Sequence, residues 1–400
     1  MTEAVIVATA RSPIGRAFKG SLVGIRPDDL AAQMVRRALE KIPELDPETI
    51  DDLLVGTALP GGEQGFNIAR VVAVLLGLDG VPGATVNRFC ASSVQTTRMA
   101  VHAIRSGEAD VCVSAGVDMM SRLAPGVPDS PEARNPRFEQ LGSAQDELLE
   151  WRDPRETGRL PDVYMDMGTT AENVATLMGV TRSEMDEFAL RSQMNARAAA
   201  EAGFWDIDVT PVRLPGGETV RADDGPRPTT TLEGLAGLAP VFREDGRITA
   251  GNACSLNDGA AAVVVMSDSR AKELGLTPLA RVLSTGVSGL SPEIMGLGPV
   301  EATRRALSLA GMTVRDIDQF EINEAFAAQV IPSARLLGVP FDKLNVNGGA
   351  IALGHPFGMT GARTTTTLIN SLRHRDEQFG VVSMCIAGGM GMAMVVERLS

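Results

Sequence analysis

Histidine is nearly missing from this 400-residue chain, which has only His102, His355 and His374. Any chemistry that needs an imidazole must be assigned among those three. Cysteine is scarce as well. Cys90, Cys112, Cys254 and Cys385 lie far apart with no Cys-x-x-Cys pair, which excludes a zinc knuckle, a thiol–disulfide motif and a disulfide scaffold. The longest apolar run, Ala260 to Met266, has seven residues, against the roughly 20 that a membrane-spanning helix needs. Positive charge is in deficit: 37 Lys and Arg stand against 50 Asp and Glu, a net charge of −13. Nucleic acid and anionic lipid are therefore poor partners for the molecule as a whole. The chain opens Met-Thr-Glu and passes into the strand-like run Ala4 to Ala8 without a basic leader, so a cytoplasmic protein is expected.

What remains is a globular composition, 44% apolar and 22% charged, rich in glycine. At about 150 residues per domain, two or three domains are expected. Two stretches echo each other. Ile50 to Gly56 has the form of a helix end running into a strand, and so does Ile317 to Asn323. Thr85-Val86-Asn87, a helix Ala91 to Ser106 and the strand Val111 to Gly116 find counterparts in Leu344 to Asn347, a helix from Gly358 to Leu372 and the strand Val381 to Cys385. Offsets of roughly 260 to 270 residues recur in order, which predicts a duplicated α/β unit with largely parallel sheets. Between the halves, Leu123 to Pro161 reads as an irregular, proline-rich excursion. Thr181-Arg182-Ser183-Glu184 then spells a capping box for a helix that Gly203 ends. The expected division is 1–119 plus 250–271 for the first half, an insertion at 120–249 that carries binding loops, and 272–400 for the second half.

Cys90 follows a strand predicted over Val86 to Phe89 and opens the helix at Ala91. At a helix N-terminus the dipole and free N–H groups favour a thiolate and could receive an oxyanion; the competing reading is a buried structural cysteine. His355 lies among Gly348, Gly349, Gly354 and Gly358 with Pro356 beside it, either a base on a rigid loop or a turn histidine satisfied by backbone. Cys385 ends a strand at Ile386-Ala387-Gly388-Gly389, where a thiol could carry a proton. Asn323, directly after a strand, could hold a water or acyl oxygen, or simply cap a helix. His102 and His374 read as solvated.

Taken together these pieces resemble the thiolase family. The motifs run in order through nearly the whole chain: Val5 to Gly15, Asn87 to Ser92, Ser114 to Gly116, Met167 to Val174, Gly251 to Ala253, Asn257 to Ala260, Asn323 to Phe326, Asn347 to Gly349 with Gly354-His355-Pro356, and Cys385 with Gly388, Gly389 and Gly391. The resemblance implies a thiolase-like α/β fold, two duplicated halves in an αβαβα core with an inserted loop domain. It implies an acyltransferase cleaving 3-ketoacyl-CoA with CoA as co-substrate, in fatty-acid or related breakdown, with no permanently bound cofactor and no metal. Cys90 would be the nucleophile, His355 its base, Cys385 the proton carrier for carbon, and Asn323 the holder of a water at the enolate oxygen. The N–H groups of Cys90 and Ala387 would form a second oxyanion hole. Arg227 would lie near the adenine nucleotide of CoA, and Cys254, Met167, Met295 and Phe326 along the substrate. An acetoacetyl-CoA thiolase and a non-catalytic CoA-binding subunit are the alternatives. A homodimer or homotetramer is implied, with room for a complex with other β-oxidation enzymes. Three positions depart from the family: Ala387 stands where many members have glycine, Cys254 where serine is common, and Asp166 where acetoacetyl-CoA enzymes often carry histidine.

Overall fold

The computed structural model describes residues 2–123, 134–141 and 151–400; the middle of the predicted excursion, 124–133 and 142–150, lies outside the described residues. The first half supplies strands β1 (Ala4–Arg11), β2 (Gly15–Arg16), β3 (Asp52–Gly56), β4 (Gly83–Val86) and β5 (Val111–Met119). A small hairpin, β6 (Val212–Arg213) and β7 (Thr219–Val220), precedes β8 (Asn257–Ser267). The second half brings β9 (Ala280–Gly289), β10 (Gln319–Ile322), β11 (Phe379–Ile386) and β12 (Met390–Arg398). The main sheet runs β10-β11-β12-β9-β1-β8-β5-β3-β4, with β2 on β8.

That order contains the duplication. Read from its outer edge inward, the first half is β4-β3-β5-β8-β1. The second is the same pattern, with Leu344 bridged in parallel to Phe320 in place of β4, then β10-β11-β12-β9. The two innermost strands join antiparallel, Val5 opposite Arg281 and Ile6 opposite Ala280. The expectation of largely parallel sheets is corrected. Of the pairings between these strands, only β3 with β4 and β5, and β10 with β11, are parallel; the others are antiparallel. The reason is connection length. Helical crossovers allow parallel neighbours, whereas β11 reaches β12 through Ala387-Gly388-Gly389, with both glycines at positive φ (75° and 78°), and so short a turn permits only a hairpin.

Strands β1, β5, β8 and β11 are buried on both faces, which is why they read as largely continuous apolar runs. In β8, Ala260, Ala262, Val264 and Met266 face one outer core, with the helices Pro27–Leu39 and Ile68–Leu75. Ala261, Val263 and Val265 face a middle layer, where the helices Ser92–Ser106 and Thr360–Arg375 lie between the halves. On the far side, Ala393 and Val395 of β12 meet Gly298–Ala310 and Ala327–Leu337. Five layers result. The buried threonines 364, 365 and 366 of the middle layer return their hydroxyls to carbonyls of the preceding turn, so these hydroxyls are satisfied within their own helix. The capping box at Thr181 and Glu184 starts the helix Arg182–Glu201 as the sequence indicates. No helix among the described residues is long and apolar enough to cross a membrane.

The insertion is fastened to this frame by a buried ion triad. Arg11, fully buried at the end of β1, donates Nε to Asp208 (2.7 Å) and a terminal nitrogen to Asp223 (2.6 Å). Burial alone would lower its pKa, but Asp223 and Asp208 more than offset that and keep the guanidinium charged. Removing one partner from a buried ion pair leaves an uncompensated charge. Arg11→Met is therefore expected to cost about 3–5 kcal/mol in denaturant titration; a loss below about 1 kcal/mol would show that the triad is not what secures the insertion.

Candidate active site

Strand β4 stops at Val86, three residues short of the predicted end, because the chain must turn sharply to start the helix Ser92–Ser106. Phe89 takes φ = 43°, a conformation that costs a bulky side chain strain and needs external support. The support is local. The Phe89 amide donates to Asn87 Oδ1 (2.8 Å), the Arg88 amide to Ser92 Oγ (2.9 Å), and Ser92 Oγ returns its proton to the Phe89 carbonyl (2.7 Å). This knot sets Cys90 in a single 3₁₀ turn, half-buried, with the amide N–H groups of Ala387 and of Cys90 itself directed at its sulfur.

The expected low pKa is not what the resting site shows. Burial pushes the Cys90 thiol up to about 12, with the two N–H groups pulling it down and Asp118 adding a smaller upward push. Cys254, at a backbone bond from its amide to the Ala325 carbonyl (3.0 Å), and Cys385, at the end of β11, are likewise raised, by burial first and by Cys90 next. Three sulfurs from three distant parts of the sequence thus share one electrostatic environment.

His355 is buried, and its ring is oriented from both sides. Thr360 Oγ1 gives its own proton to the Pro356 carbonyl (2.7 Å) and sits 2.6 Å from His355 Nδ1. Nδ1 therefore carries the ring hydrogen, and Nε2 presents a lone pair. The Asn323 side-chain amide lies 3.3 Å from Nε2. Burial, helped by Arg363, lowers the imidazole to about 3, so it is neutral at physiological pH and able to accept a proton. Asn323 follows β10 directly, its amide bonded to the Ser383 carbonyl of β11 (2.9 Å), and does not cap a helix. Its side-chain oxygen is buried with no partner among the described residues. His102 and His374 are exposed, as expected.

One residue of this region escapes sequence reasoning. Asp118, buried at the end of β5, accepts from Thr57 Oγ1 (3.0 Å), Gln64 Nε2 (3.0 Å) and the Ala58 amide (2.9 Å) in the first half, and from the Gly358 amide in the second. Burial raises it to about 6 despite these donors. It ties the His355 loop to the half that carries Cys90. The available signal was one acid at the end of an otherwise apolar strand, Val111 to Met119.

Of the expected substrate contacts, Met295, Phe326 and the partly buried Met167 fall in one apolar cluster with Cys385 and with Ala253, the neighbour of Cys254. Phe326 meets Phe242 edge to face at 6.1 Å. Arg227 stands apart from these sulfurs. It is exposed on the rim of a 580 Å³ cavity with Leu190, Met194, Arg197 and Leu232, and its loop is drawn toward the His355 segment where Gly225 passes close over the Ala352 and Leu353 carbonyls. Asp166 is occupied as a helix cap, accepting from the Thr169 amide (2.9 Å) and hydroxyl (2.5 Å).

Two thiols, a neutral imidazole and two convergent N–H groups are the parts of a covalent acyl transfer. The family models agree. The N-terminal thiolase domain matches residues 4–269 and the C-terminal thiolase domain residues 276–398. The chain belongs to the thiolase family. This thiolase is 44% identical to the 3-ketoacyl-CoA thiolase of Bacillus subtilis, over 99% of its own length and all of that protein. It is 45% identical to an acetyl-CoA acetyltransferase of Pseudomonas aeruginosa and 43% identical to a beta-ketoadipyl-CoA thiolase of Escherichia coli, each over the whole of both chains. Its fold superposes on human mitochondrial 3-ketoacyl-CoA thiolase with a TM-score of 0.88 at 37% identity, covering 100% of this chain and 99% of that one. It is an acyltransferase.

The resting pair, a high thiol and a low imidazole, has a direct consequence. Alkylation of Cys90 by iodoacetamide should rise about tenfold per pH unit from 7 to 10, because only the thiolate reacts and its fraction grows until pH passes about 12. A rate that levels off below pH 8 would reveal a preformed thiolate.

Proposed function

We propose that this thiolase cleaves 3-ketoacyl-CoA with free CoA in fatty-acid or related acyl-CoA breakdown. Cys90 attacks the 3-keto carbonyl as its proton passes to His355. The C2–C3 bond breaks, and its electron pair stays on C2 as the enolate of acetyl-CoA. Cys385 gives its thiol proton to that carbon and acetyl-CoA departs. The shortened acyl group remains as a thioester on Cys90, from which the thiol of CoA removes it while its proton returns to Cys385. Asn323 and His355 would stabilise the enolate oxygen through a water, and the N–H groups of Cys90 and Ala387 the oxyanion at the attacked carbon. Replacing glycine by alanine at 387 leaves that N–H in place.

The observation that carries this reading is the meeting of Cys90, from the first half, with Cys385, from the second. Carbon–carbon cleavage needs both a covalent acceptor and an acid for carbon, and an acceptor alone would not use the second thiol. A non-catalytic CoA-binding role leaves the whole set unexplained. Condensation of two acetyl-CoA is the second reading, supported by the acetyl-CoA acetyltransferase relatives. Asp166, held as a cap, offers no imidazole to a short acyl group, which favours the first. The reading also assigns the insertion at 120–249 to CoA and substrate binding, with Arg227 and Cys254 along the cofactor arm. It extends to a cytoplasmic homo-oligomer, since β4 is an open sheet edge and Phe66 nearby is 94% exposed.

The decisive experiment separates the half-reactions. Cys385→Ser should still form an acyl-enzyme from a simple acyl-CoA yet lose thiolysis of 3-ketoacyl-CoA by at least about 10²-fold, the low end for a general acid. Equal losses in both would remove Cys385 from its role. Asn323→Ala should lower turnover by about 10²–10³-fold, the usual consequence of one lost oxyanion donor; a change below about threefold would exclude it. Thiolysis rates across short, long and bulky 3-ketoacyl-CoA esters then decide between the two readings, since a dedicated acetoacetyl-CoA enzyme turns over only the shortest.

A further inference from the structure

We infer that Glu293 is a specificity-determining strut that holds a roof over the acyl-binding side of this site; the inference rests on the reading of Cys90 as the acyl acceptor. Glu293 is 2% exposed, in the turn Pro292–Leu297 that also carries Met295. Its two carboxylate oxygens accept from different donors on one segment of the insertion: Oε2 from the Trp151 indole N–H (2.8 Å) and Oε1 from the Asp162 amide (3.1 Å). Its carbonyl accepts from Asn173 Nδ2 (3.0 Å), on the helix Met167–Leu177. One residue of the second half therefore binds both arms of the insertion next to the site.

What the strut positions is Val163. Asp162 Oδ1 accepts from the Tyr164 amide (2.9 Å), closing a tight turn with Val163 at its tip. A Cβ placed on Gly388 would lie 3.8 Å from Val163 Cγ2 and 4.0 Å from the Phe89 ring. Gly388 follows Ala387, whose N–H faces the Cys90 sulfur, and Phe89 precedes Cys90. Val163 and Phe89 are each more than a third exposed, so they form two apolar lips across the same turn. On this inference an acyl chain on Cys90 runs between those lips and the Met295 side of the cluster. The width of that passage depends on where Val163 is held. Two N–H donors that meet one buried side chain fix the loop at two points, and each would be left unsatisfied without it. Glu293 touches no reacting atom in this account; it is a positioning residue.

The test measures kcat and KM for 3-ketoacyl-CoA esters of four, eight and sixteen carbons in the wild type, Trp151→Phe, Glu293→Gln, Glu293→Ala and the Trp151→Phe/Glu293→Gln double variant. Loosening the roof should move the long-to-short ratio of kcat/KM about tenfold toward the long ester, through KM, while kcat on the four-carbon ester stays within about twofold. Glu293→Gln, which keeps one acceptor, should move it less than Glu293→Ala. The double variant should exceed neither single effect by much, because both substitutions cut the same support. Trp151→Phe preserves ring shape and supplies the readout should Glu293→Ala fail to fold. Ratios unmoved in Trp151→Phe and Glu293→Gln, or equal losses at every chain length, overturn the strut while the proposed reaction stands. A wild type inactive on every ester overturns both.

Discussion

A carboxylate with no exposed surface holds the two halves of this thiolase in register where the chemistry is assembled. Asp118 collects donors from Thr57, Ala58 and Gln64 on one side and from Gly358 on the other. Nearby, the Ala362 amide donates to Ser93 Oγ (2.9 Å), so the helix after Cys90 and the helix after His355 are bonded directly. A duplicated fold gives two similar strand-to-helix turns, and neither alone contains the nucleophile, base and acid that the proposed reaction uses. The site exists only because these buried bonds press one turn against the other. Desolvation makes such bonds strong when every lone pair is met and makes a missing partner costly.

The same desolvation sets the protonation states. Burial raises all three thiols and lowers His355, so the sulfurs and the imidazole rest uncharged. In the proposed reaction charge develops only as the bonds change, at a carbonyl oxygen and at carbon. The N–H groups of Cys90 and Ala387 are in place before that charge develops. Fixed dipoles waiting for transition-state charge in a dry site lower a barrier without reorganisation at the moment of reaction. A permanently ionised sulfur would gain less, since the same N–H groups would stabilise the ground state equally.

Much of this was legible in the sequence because it depends on local patterns. The duplication survives as ordered echoes, the capping box marks a helix start, and Asn323, His355 and Cys385 sit at turns that glycine and proline announce. What was hidden depends on partners that the apolar and polar pattern does not show. Nothing in Val86 to Phe89 shows that Phe89 must twist to φ = 43°, because the reason lies in bonds to Asn87 and Ser92 that form only once the helix begins. Strand direction was misread because crossovers and hairpins differ in connection length, not in strand composition. The helix-terminus argument for Cys90 named a real downward influence, yet desolvation by the folded second half outweighs it. Asp118 is silent in the sequence because an isolated acid in a strand has the look of a solvated end until its four donors are in view.

The three departures from the family pattern separate what the core fixes from what the insertion varies. Ala387 changes a side chain while its function lies in the backbone, so the substitution is compatible with the proposed oxyanion hole. Asp166 and Cys254 differ in the side chains that would meet a substrate, and both belong to the insertion or its return. Asp166 has become a helix cap, and Cys254 brings a third sulfur beside the two that the proposed reaction uses. The buried cores leave little freedom: a strand packed on both faces offers no solvent-facing position, so every substitution meets one close-packed layer or the other. The insertion shares an apolar cluster with the second half and is anchored by polar bonds along its length, among them Arg11 to Asp208 and Asp223, Ser192 to Glu324, and Glu293 to Trp151 and Asp162. Relatives with three different substrate names at similar identity are what such an arrangement permits, since the passage can be reshaped by moving its anchors while the sulfurs and the imidazole stay where the sheets hold them.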